Sequence, residues 1–181
     1  MWIVCITSVR HVLTVNGYGG RQTKENEKSW CFKGWETLDM NLSDPKDCLY
    51  CQNNQTLHEL MIEIAPLSVS RLFLFKEQTY RGRCLVAYKD HVHDLNMLSD
   101  EERNAFMADV VRVTRAMQKV FNPQKINYGA YSDKLSHLHF HLAPKYEGGP
   151  DFGGTFTMNP QKVYLTDAEY QDMVEKIKEA L

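Results

Sequence analysis

Apolar residues recur at helical spacing in two long segments of the chain, and a capping box precedes each of them. The first box is Ser-Asp-Glu-Glu at 99–102, and the apolar positions behind it continue to the Asn-Pro pair at 122–123, where proline ends the helix. The second box is Thr-Asp-Ala-Glu at 166–169, and its apolar stripe reaches residue 181. The pattern therefore predicts a long helix and a C-terminal helix, with a shorter helix around 57–64.

Segments typical of β-strands lie before and between these helices. The candidates are residues 69–76, 84–88, 126–131 and 137–144, with a weaker one at 162–165. A hairpin-like connection that contains Gly82 joins the first two candidates. Strands that begin as a hairpin and resume after a long helix indicate an α+β fold with a mainly antiparallel sheet.

The composition is that of an ordinary globular domain, since 43% of the 181 residues are hydrophobic and 24% are charged. The 21 basic and 23 acidic residues nearly balance. This balance argues against a nucleic-acid partner, because proteins that bind nucleic acids carry a basic excess. No apolar stretch approaches the roughly 20 residues of a membrane helix, so no membrane association is expected.

The N-terminal part of the chain differs from the rest. Residues 1–39 include a polar, Gly-rich stretch typical of a loop or a disordered segment, and a coherent pattern begins near Met40. We therefore expect a poorly patterned extension at 1–39 and one domain at 40–181. The first residues lack the features of a secretory signal, and the five cysteines are too few for a disulfide framework. Both observations favour a reducing, cytoplasmic location.

The most informative segment is Ser-His-Leu-His-Phe-His-Leu at 136–142. Side chains of a strand point alternately to its two faces, so His137, His139 and His141 are predicted to share one face. The apolar residues between them then enter the core. Two chemical roles are open for three adjacent imidazoles. They can bind a catalytic metal, or one of them can act as a nucleophile whose tautomer is fixed through its other nitrogen.

A second motif, Cys-Leu-Tyr-Cys at 48–51, is by itself compatible with a metal site, a redox pair or coincidence. A thioredoxin-like redox pair requires a βαβ unit, which the predicted elements do not offer. A structural zinc site requires two further ligands, because structural zinc is four-coordinate.

Three segments carry a family resemblance. They are His-Leu-His-Phe-His-Leu-Ala at 137–143, the segment 81–102 with its Leu-Val strand and Lys-Asp-His turn, and Ile-Asn-Tyr-Gly at 126–129. Together they resemble the histidine triad (HIT) superfamily over about residues 45–150. The resemblance implies an α+β, HIT-like fold: a mainly antiparallel five-stranded sheet with a long helix and a C-terminal helix.

The resemblance also implies an enzyme that cleaves the α-phosphate linkage of a nucleotide conjugate, either a dinucleoside polyphosphate or a nucleoside phosphoramidate. By position, His139 is the expected nucleophile, which forms a covalent nucleotidyl-histidine, and His141 is expected to contact the phosphate. Asn127 is expected to hold a phosphate oxygen or the ribose. A nucleotide-binding regulatory module with little turnover is one alternative, and a metal-dependent hydrolase that uses the triad as ligands is another. Related proteins are commonly homodimers, so a homodimer is expected.

Further candidate substrate contacts lie where the chain departs from the family pattern or flanks the triad. Arg83 stands where the family most often has a fourth active-site histidine; its guanidinium can bind phosphate bidentately but cannot exchange protons near neutral pH. Ser136, beside the triad, is a candidate hydrogen-bond donor. Lys134 is a candidate charge for a polyphosphate. We therefore predict that these three side chains contact the substrate.

In zinc-bearing branches of the superfamily, a Cys-x-x-Cys pair and two histidines bind the metal together. The matching positions in this chain are Cys48, Cys51, His91 and His137. The resemblance therefore implies a structural Zn²⁺, which would hold the start of the triad strand and orient His139 without taking part in the reaction.

Overall fold

The structure, a computed structural model, describes residues 44–131, 133 and 136–181. The expected boundary at residue 40 and the predicted substrate residue Lys134 lie outside these residues. The helices are α1 (Leu49–Gln52), α2 (Gln55–Leu60), α3 (Asp100–Phe121) and α4 (Asp167–Ala180). The strands are β1 (Met61–Pro66), β2 (Ser70–Phe75), β3 (Cys84–Tyr88), β4 (Lys125–Gly129) and β5 (His139–Lys145). A 3₁₀ turn at Leu95–Met97 precedes α3.

The described strands form a five-stranded sheet in the order β1-β2-β3-β5-β4, and every neighbouring pair is antiparallel. Strands β1 to β3 follow one another as a meander, and α3 connects β3 to β4. Strand β5 then inserts between β3 and β4, so the triad strand has a neighbour on each side. The predicted α+β class, with its antiparallel sheet, long helix and C-terminal helix, is confirmed. In the part of the chain that the structure describes, no helix is long and apolar enough to cross a membrane.

One face of the sheet packs against α3 and α4 and forms the larger apolar core. Alternate residues of each strand meet the apolar stripes of the two helices there. The buried residues of this core include Leu72, Val86, Phe140 and Leu142 of the sheet, Phe106, Val113 and Met117 of α3, and Met173 and Ile177 of α4. Both predicted capping boxes form, Ser99 with Glu102 at the start of α3 and Thr166 with Glu169 at the start of α4.

The opposite face of the sheet carries the triad and is covered by α1 and α2. A smaller apolar core joins Phe73, Phe75 and Leu85 of the sheet to Tyr50 and Leu57 of these helices. Phe140 and Leu142 of β5 point into the α3–α4 core, whereas His139 packs on Tyr50 of α1 and His141 lies beside His139. The alternation of side chains along β5 therefore places its histidines on the sheet face opposite the main apolar core.

The predicted short helix at 57–64 is wrong in its second half, because α2 ends and β1 begins at Met61. Met61 and Ile64 are buried while the two residues between them are not, and this spacing of three imitates a helix. The spacing arises because the register of β1 against β2 shifts between Glu63 and Ala65, as at a β-bulge.

The weaker strand candidate at 162–165 is also wrong, since this segment has no regular strand. The N–H groups of Lys162 and Val163 each donate to Oε1 of the buried Glu77 at 3.2 Å. A side-chain carboxylate thus takes the backbone donors that a neighbouring strand would otherwise bind.

Candidate active site and metal centre

The sheet holds the triad strand from both sides. Strand β5 begins at His139, two residues later than predicted, so His137 lies in the chain just before it. His139 and His141 pair with β3, and Gly129 of β4 lies opposite His141 on the other side. All three histidines are buried. The hydrogen bonds of β5 to β3 and β4 therefore fix the backbone positions of His139 and His141.

The hydrogen bonding of His139 defines its tautomer. Its Nδ1 lies 2.6 Å from the carbonyl oxygen of His137. A carbonyl oxygen only accepts, so Nδ1 of His139 carries the proton and the lone pair lies on Nε2. Burial lowers the pKa of His139 and favours the neutral imidazole. His139 thus has the protonation state that a nitrogen nucleophile requires.

His141 has the opposite tautomer. Its Nδ1 lies 3.0 Å from Nη2 of Arg83. A guanidinium only donates, so Nδ1 of His141 accepts this bond and Nε2 carries the proton. Burial, together with the positive charge of Arg83, lowers the pKa of His141 to about 2. The two imidazoles of β5 are therefore both neutral, but they hold their protons on different nitrogens.

A cavity of about 230 Å³ opens beside these two imidazoles. His139 and His141 line it together with mainly apolar side chains, which include Leu60, Phe75 and Met158. Apolar walls with a small number of polar groups are typical of pockets for small organic ligands. The cavity is therefore adapted to a ligand with an apolar or planar part and a polar part next to the histidines.

Tyr50 belongs to the site although no sequence pattern marks its role. Its ring centroid lies 4.9 Å from that of His137 and 5.3 Å from that of His139. It also lines the cavity. Because Tyr50 lies between the two cysteines of the Cys-x-x-Cys motif, the short helix that carries the motif also covers the triad. Its position inside that motif is the one sequence signal that points to it.

Tyr131 and Met158 also line the cavity. The predicted strand at 126–131 ends at Gly129, so Tyr131 lies just beyond β4, and Met158 comes from an irregular segment for which the sequence predicts no element. The ring centroid of Tyr131 lies 6.4 Å from that of His141. Its segment follows β4 directly, so the end of that strand brings the ring to the triad.

Asn127 lies apart from the histidine cavity. It pairs with Ala143 in the β4–β5 ladder and lines a second cavity, of about 290 Å³, with Lys125 and Lys145. The Oδ1 atom of Asn127 is buried and has no hydrogen-bond partner among the described residues. Contact between Asn127 and a substrate stays a prediction.

Ser136 and Arg83 make contacts inside the protein. The hydroxyl of Ser136 lies 2.7 Å from Nδ1 of His93. Arg83 has none of its surface exposed; its Nη2 contacts Nδ1 of His141, and its Nη1 donates to the carbonyl of Met158 at 2.5 Å. Direct contact of these two side chains with a substrate stays a prediction, and Lys134 lies outside the described residues.

The two cysteines of the Cys-x-x-Cys motif meet two histidines. Nδ1 of His137 lies 3.4 Å from Sγ of Cys48, 3.6 Å from Sγ of Cys51 and 3.4 Å from Nδ1 of His91. Sγ of Cys51 lies 3.1 Å from Nδ1 of His91, and all four ligand atoms lie within 4.8 Å of one another. Nε2 of His137 donates to the carbonyl of Tyr88 at 2.8 Å, so its Nδ1 lone pair points at the cluster.

This thiol–histidine cluster fits a tetrahedral zinc ion. Two sulfur and two imidazole ligands form a common structural zinc set, and the hydrogen bond from His137 to a backbone carbonyl is the kind of contact that orients a zinc-bound histidine. Of the triad histidines, His137 alone belongs to a group of potential metal ligands within the described residues. The arrangement therefore separates the thiol–histidine end of the triad from the cavity end.

Known proteins resemble this chain in sequence and in fold. The HIT domain family model matches residues 67–148. A curated relative from Schizosaccharomyces pombe, named adenosine 5′-monophosphoramidase, is 28% identical over 89 residues, which are 46% of this chain and 64% of the relative. The match thus spans slightly less than two thirds of that relative's own length.

Solved structures share the fold at low sequence identity. A histidine triad protein from Sinorhizobium meliloti has a TM-score of 0.65 at 19% identity, over 71% of this chain and 95% of its own. A zinc-bound histidine triad family protein from Mycobacterium smegmatis has a TM-score of 0.53 at 17% identity, over 76% of this chain and 94% of its own. The HIT domain family model thus matches the segment from β2 to β5, and solved histidine triad proteins share the fold of this chain.

Proposed function

We propose that the protein is a nucleotide hydrolase or transferase that cleaves the α-phosphate linkage of a dinucleoside polyphosphate or a nucleoside phosphoramidate. Nε2 of His139 attacks the α-phosphorus, and a covalent nucleotidyl-histidine forms as the bond to the leaving group breaks. The leaving group departs with the electron pair of the broken bond and takes up a proton from water. Water then cleaves the phosphorus–nitrogen bond, which releases the nucleoside monophosphate and restores His139.

The hydrogen bond between Nδ1 of His139 and the carbonyl of His137, at 2.6 Å, is the observation that carries this proposal. It assigns the nucleophilic lone pair to Nε2 without any proton transfer. Because the ring is buried and its pKa is lowered, the imidazole is available as the neutral base at physiological pH.

His141 supplies a second element of the reaction. Its ring centroid lies 5.0 Å from that of His139, and its proton is on Nε2. A neutral N–H donor at this distance can bind a phosphate oxygen while His139 attacks the phosphorus. Such a fixed donor stabilises the charge that develops on the phosphoryl oxygens in the transition state.

The name of the curated relative guides the choice of first substrate. The protein from Schizosaccharomyces pombe is named as an adenosine 5′-monophosphoramidase, which supports an adenosine phosphoramidate as the first compound to test. The apolar walls of the histidine cavity can accept the base or the ribose of such a compound.

A hydrolase that uses the whole triad as metal ligands is less well supported. His137 lies in the thiol–histidine cluster, whereas His141 accepts a hydrogen bond from the positively charged Arg83. A positive charge 3.0 Å from an imidazole nitrogen disfavours a metal cation on the same ring.

We propose that Cys48, Cys51, His91 and His137 bind one structural zinc ion. Their four ligand atoms converge, and a zinc-bound protein shares the fold. When bound, zinc would link α1 to the segment after β3 and to the start of β5. It would hold the His137 backbone whose carbonyl orients His139.

The expected homodimer is part of the proposal. Tyr128 lies on β4, an edge strand of the sheet, and is 49% exposed, while α3 exposes Met107 and Val111. Exposed apolar residues on an edge strand and on a neighbouring helix are typical of a protein interface. Light scattering on the purified protein measures the mass, and a monomer at all concentrations contradicts the homodimer.

The covalent intermediate can be trapped directly. The protein is mixed with adenosine 5′-phosphoramidate or with diadenosine tetraphosphate, quenched in alkaline denaturant because phosphorylated histidine is acid-labile, and analysed by mass spectrometry. We expect one adenylyl group on the wild type and none on His139→Gln. The variant His58→Ala, which removes an exposed histidine of α2, is the matched control and should form the adduct. Nucleotide binding without adduct or AMP indicates the regulatory module instead.

A further inference from the structure

Arg83 is a buried cation, and the buried carboxylate of Glu77 acts on its charge without an ion-pair contact among the described residues. Arg83 has 0% of its surface exposed. Its guanidinium lies 4.5 Å from the ring centroid of Phe75 and 4.9 Å from that of Phe156. Cation–π contacts with both rings offset only a part of the desolvation of a charge. The hydrogen-bond partners of Arg83 therefore show which groups its charge acts on.

The hydrogen bonds of Arg83 go to Met158 and His141, both of which line the histidine cavity. Nη1 donates to the carbonyl of Met158, and Nη2 lies 3.0 Å from Nδ1 of His141 and 3.2 Å from Sδ of Met158. Nε is buried and has no partner among the described residues. Among the side chains that line the histidine cavity, His141 is thus the imidazole that receives a hydrogen bond from Arg83.

We propose that Arg83 is a positioning residue that fixes His141 as the neutral tautomer with its proton on Nε2, so that His141 is a constant hydrogen-bond donor to an anionic group in the cavity. This inference deepens the proposed function, on which it rests only for the identity of the anion as a nucleotide phosphate. The charge of Arg83 acts on that anion through His141 and not by direct contact.

The chemistry of the guanidinium explains why arginine differs here from the histidine that the resemblance leads one to expect. A histidine at position 83 can donate or accept, so it leaves the tautomer of His141 undetermined. A guanidinium has donors only and keeps its proton at all physiological pH values. With arginine instead of histidine at position 83, the site has no proton-exchanging group there and has a group that only donates hydrogen bonds.

The other groups around His141 do not impose the opposite tautomer. His139, on the same strand, presents its ring at 5.0 Å between centroids with an interplanar angle of 76°. Tyr131 and Asp133, from the segment after β4, are the other titratable groups that line the same cavity near His141, together with Tyr50 of α1. Among these groups of the described residues, Arg83 is the one that donates a hydrogen bond to Nδ1 of His141.

Nitrogen NMR of the histidine rings tests the proposal without any turnover. Two-bond ¹H–¹⁵N spectra of the full chain distinguish a protonated from an unprotonated ring nitrogen, and the variant His141→Gln assigns the signals. We expect an unprotonated Nδ1 and a protonated Nε2 at His141, unchanged from about pH 8 to about pH 5. A protonated Nδ1 in the wild type overturns the proposal.

Two substitutions separate the charge from the fold. In Arg83→Met the side chain keeps a similar length but loses the hydrogen-bond donors and the charge. We therefore expect a mixture of His141 tautomers, and protonation of the His141 imidazole within the same pH range. In Arg83→Lys a donor and the charge remain, and the wild-type tautomer should persist in most molecules. Spectra of Arg83→Met that match the wild type overturn the proposal. If that variant does not fold, the wild-type and Arg83→Lys spectra still decide.

Kinetics supply a second readout if the proposed activity is found. Loss of a fixed donor to the phosphoryl oxygens should lower kcat by roughly 100-fold in Arg83→Met, with a smaller change in KM and partial rescue in Arg83→Lys. A change in KM alone contradicts a role through His141 in the transition state. Absence of adduct formation in the wild type counts against the proposed function, and the NMR result stands separately from it.

Discussion

The carbonyl oxygen of His137 accepts a hydrogen bond from Nδ1 of His139 at 2.6 Å, while the imidazole of the same His137 belongs to the thiol–histidine cluster. A single residue therefore connects the proposed zinc site to the proposed nucleophile. A change that moves His137 also changes the acceptor that fixes the tautomer of His139. The cluster thus affects the reaction through orientation, in the way that residues around a metal site orient its ligands.

Substitution of Cys48 by serine tests this connection. Serine is a poor zinc ligand compared with a thiolate, so we expect the variant to lose the zinc that the wild type carries. Because His137 then loses its support, kcat should fall by about 10- to 100-fold. Elemental mass spectrometry measures zinc per chain. The variant Cys84→Ala, which removes a buried free thiol of β3 outside the cluster, is the control and should keep its zinc. Wild-type zinc content in Cys48→Ser contradicts the assignment.

Asp109 of α3 is expected to be important for stability because it binds the turn between β1 and β2. Its Oδ1 accepts from the N–H and hydroxyl of Ser68 at 3.2 and 2.8 Å, and its Oδ2 from the N–H of Val69 and the hydroxyl of Ser70 at 3.0 and 2.7 Å. In Asp109→Asn an amide donor faces these donors, so the free energy of unfolding should fall by about 2–3 kcal/mol. Urea denaturation measures the loss.

The matched control for Asp109 is an exposed carboxylate of a helix. Asp172 of α4 makes an exposed ion pair, so Asp172→Asn should cost less than about 0.5 kcal/mol. Equal losses in the two variants contradict the assigned role of Asp109.

Local signals explain which elements of the fold could be predicted. The starts of α3 and α4 are set by capping boxes at Ser99 and Thr166, in which a side chain three residues away satisfies the first N–H groups. Strand β1 could not be predicted because its burial follows a bulge that depends on pairing with β2. The segment 162–165 could not be predicted because its backbone donors bind Glu77, which is distant in sequence.

The candidate site divides in the same way. The shared face of the triad follows from the period of two along a strand, which requires no tertiary information. The cluster of Cys48 with His137 spans 89 residues of sequence, and only the family resemblance predicted it. The contact of Arg83 with His141 and the packing of Tyr50 on the triad depend on how distant elements meet. For Tyr50 the only sequence signal is its position inside the Cys-x-x-Cys motif, and for the contact of Arg83 there is none.

Gly129 is expected to keep Tyr131 in place beside His141. A Cβ atom at position 129 would lie 2.3 Å from Cε2 of Tyr131 and 2.9 Å from Cζ of Phe156. Tyr131 is 44% exposed, so its ring can move in Gly129→Ala and leave the cavity. Loss of one aromatic contact, about 0.5–1.5 kcal/mol, should weaken AMP binding roughly three- to tenfold.

Titration calorimetry of AMP measures the effect of Gly129→Ala. Gly154→Ala is the control, because a Cβ there meets a backbone oxygen only at 3.7 Å, and its AMP affinity should equal that of the wild type. An unchanged affinity in Gly129→Ala contradicts the placement of Tyr131 as a wall of the ligand site.

The stability of the fold is expected to fall as the pH decreases, and His141 accounts for a defined part of the loss. Burial and the charge of Arg83 lower the pKa of His141 from 6.5 to about 2. Between these values the unfolded chain binds a proton that the folded chain does not, so acid favours unfolding and stability rises with pH. Each pH unit in this window costs about 1.4 kcal/mol for such a histidine.

Urea denaturation at about pH 7 and about pH 5 measures this loss through differences between variants. The wild type should lose roughly 2 kcal/mol more than His141→Gln between the two pH values, because the variant has no imidazole to protonate at this position. The variant His58→Gln, which changes an exposed histidine of α2, should lose as much as the wild type. Equal losses in the wild type and in His141→Gln would mean that His141 is protonated in the folded protein, and Arg83 would then not be its hydrogen-bond donor.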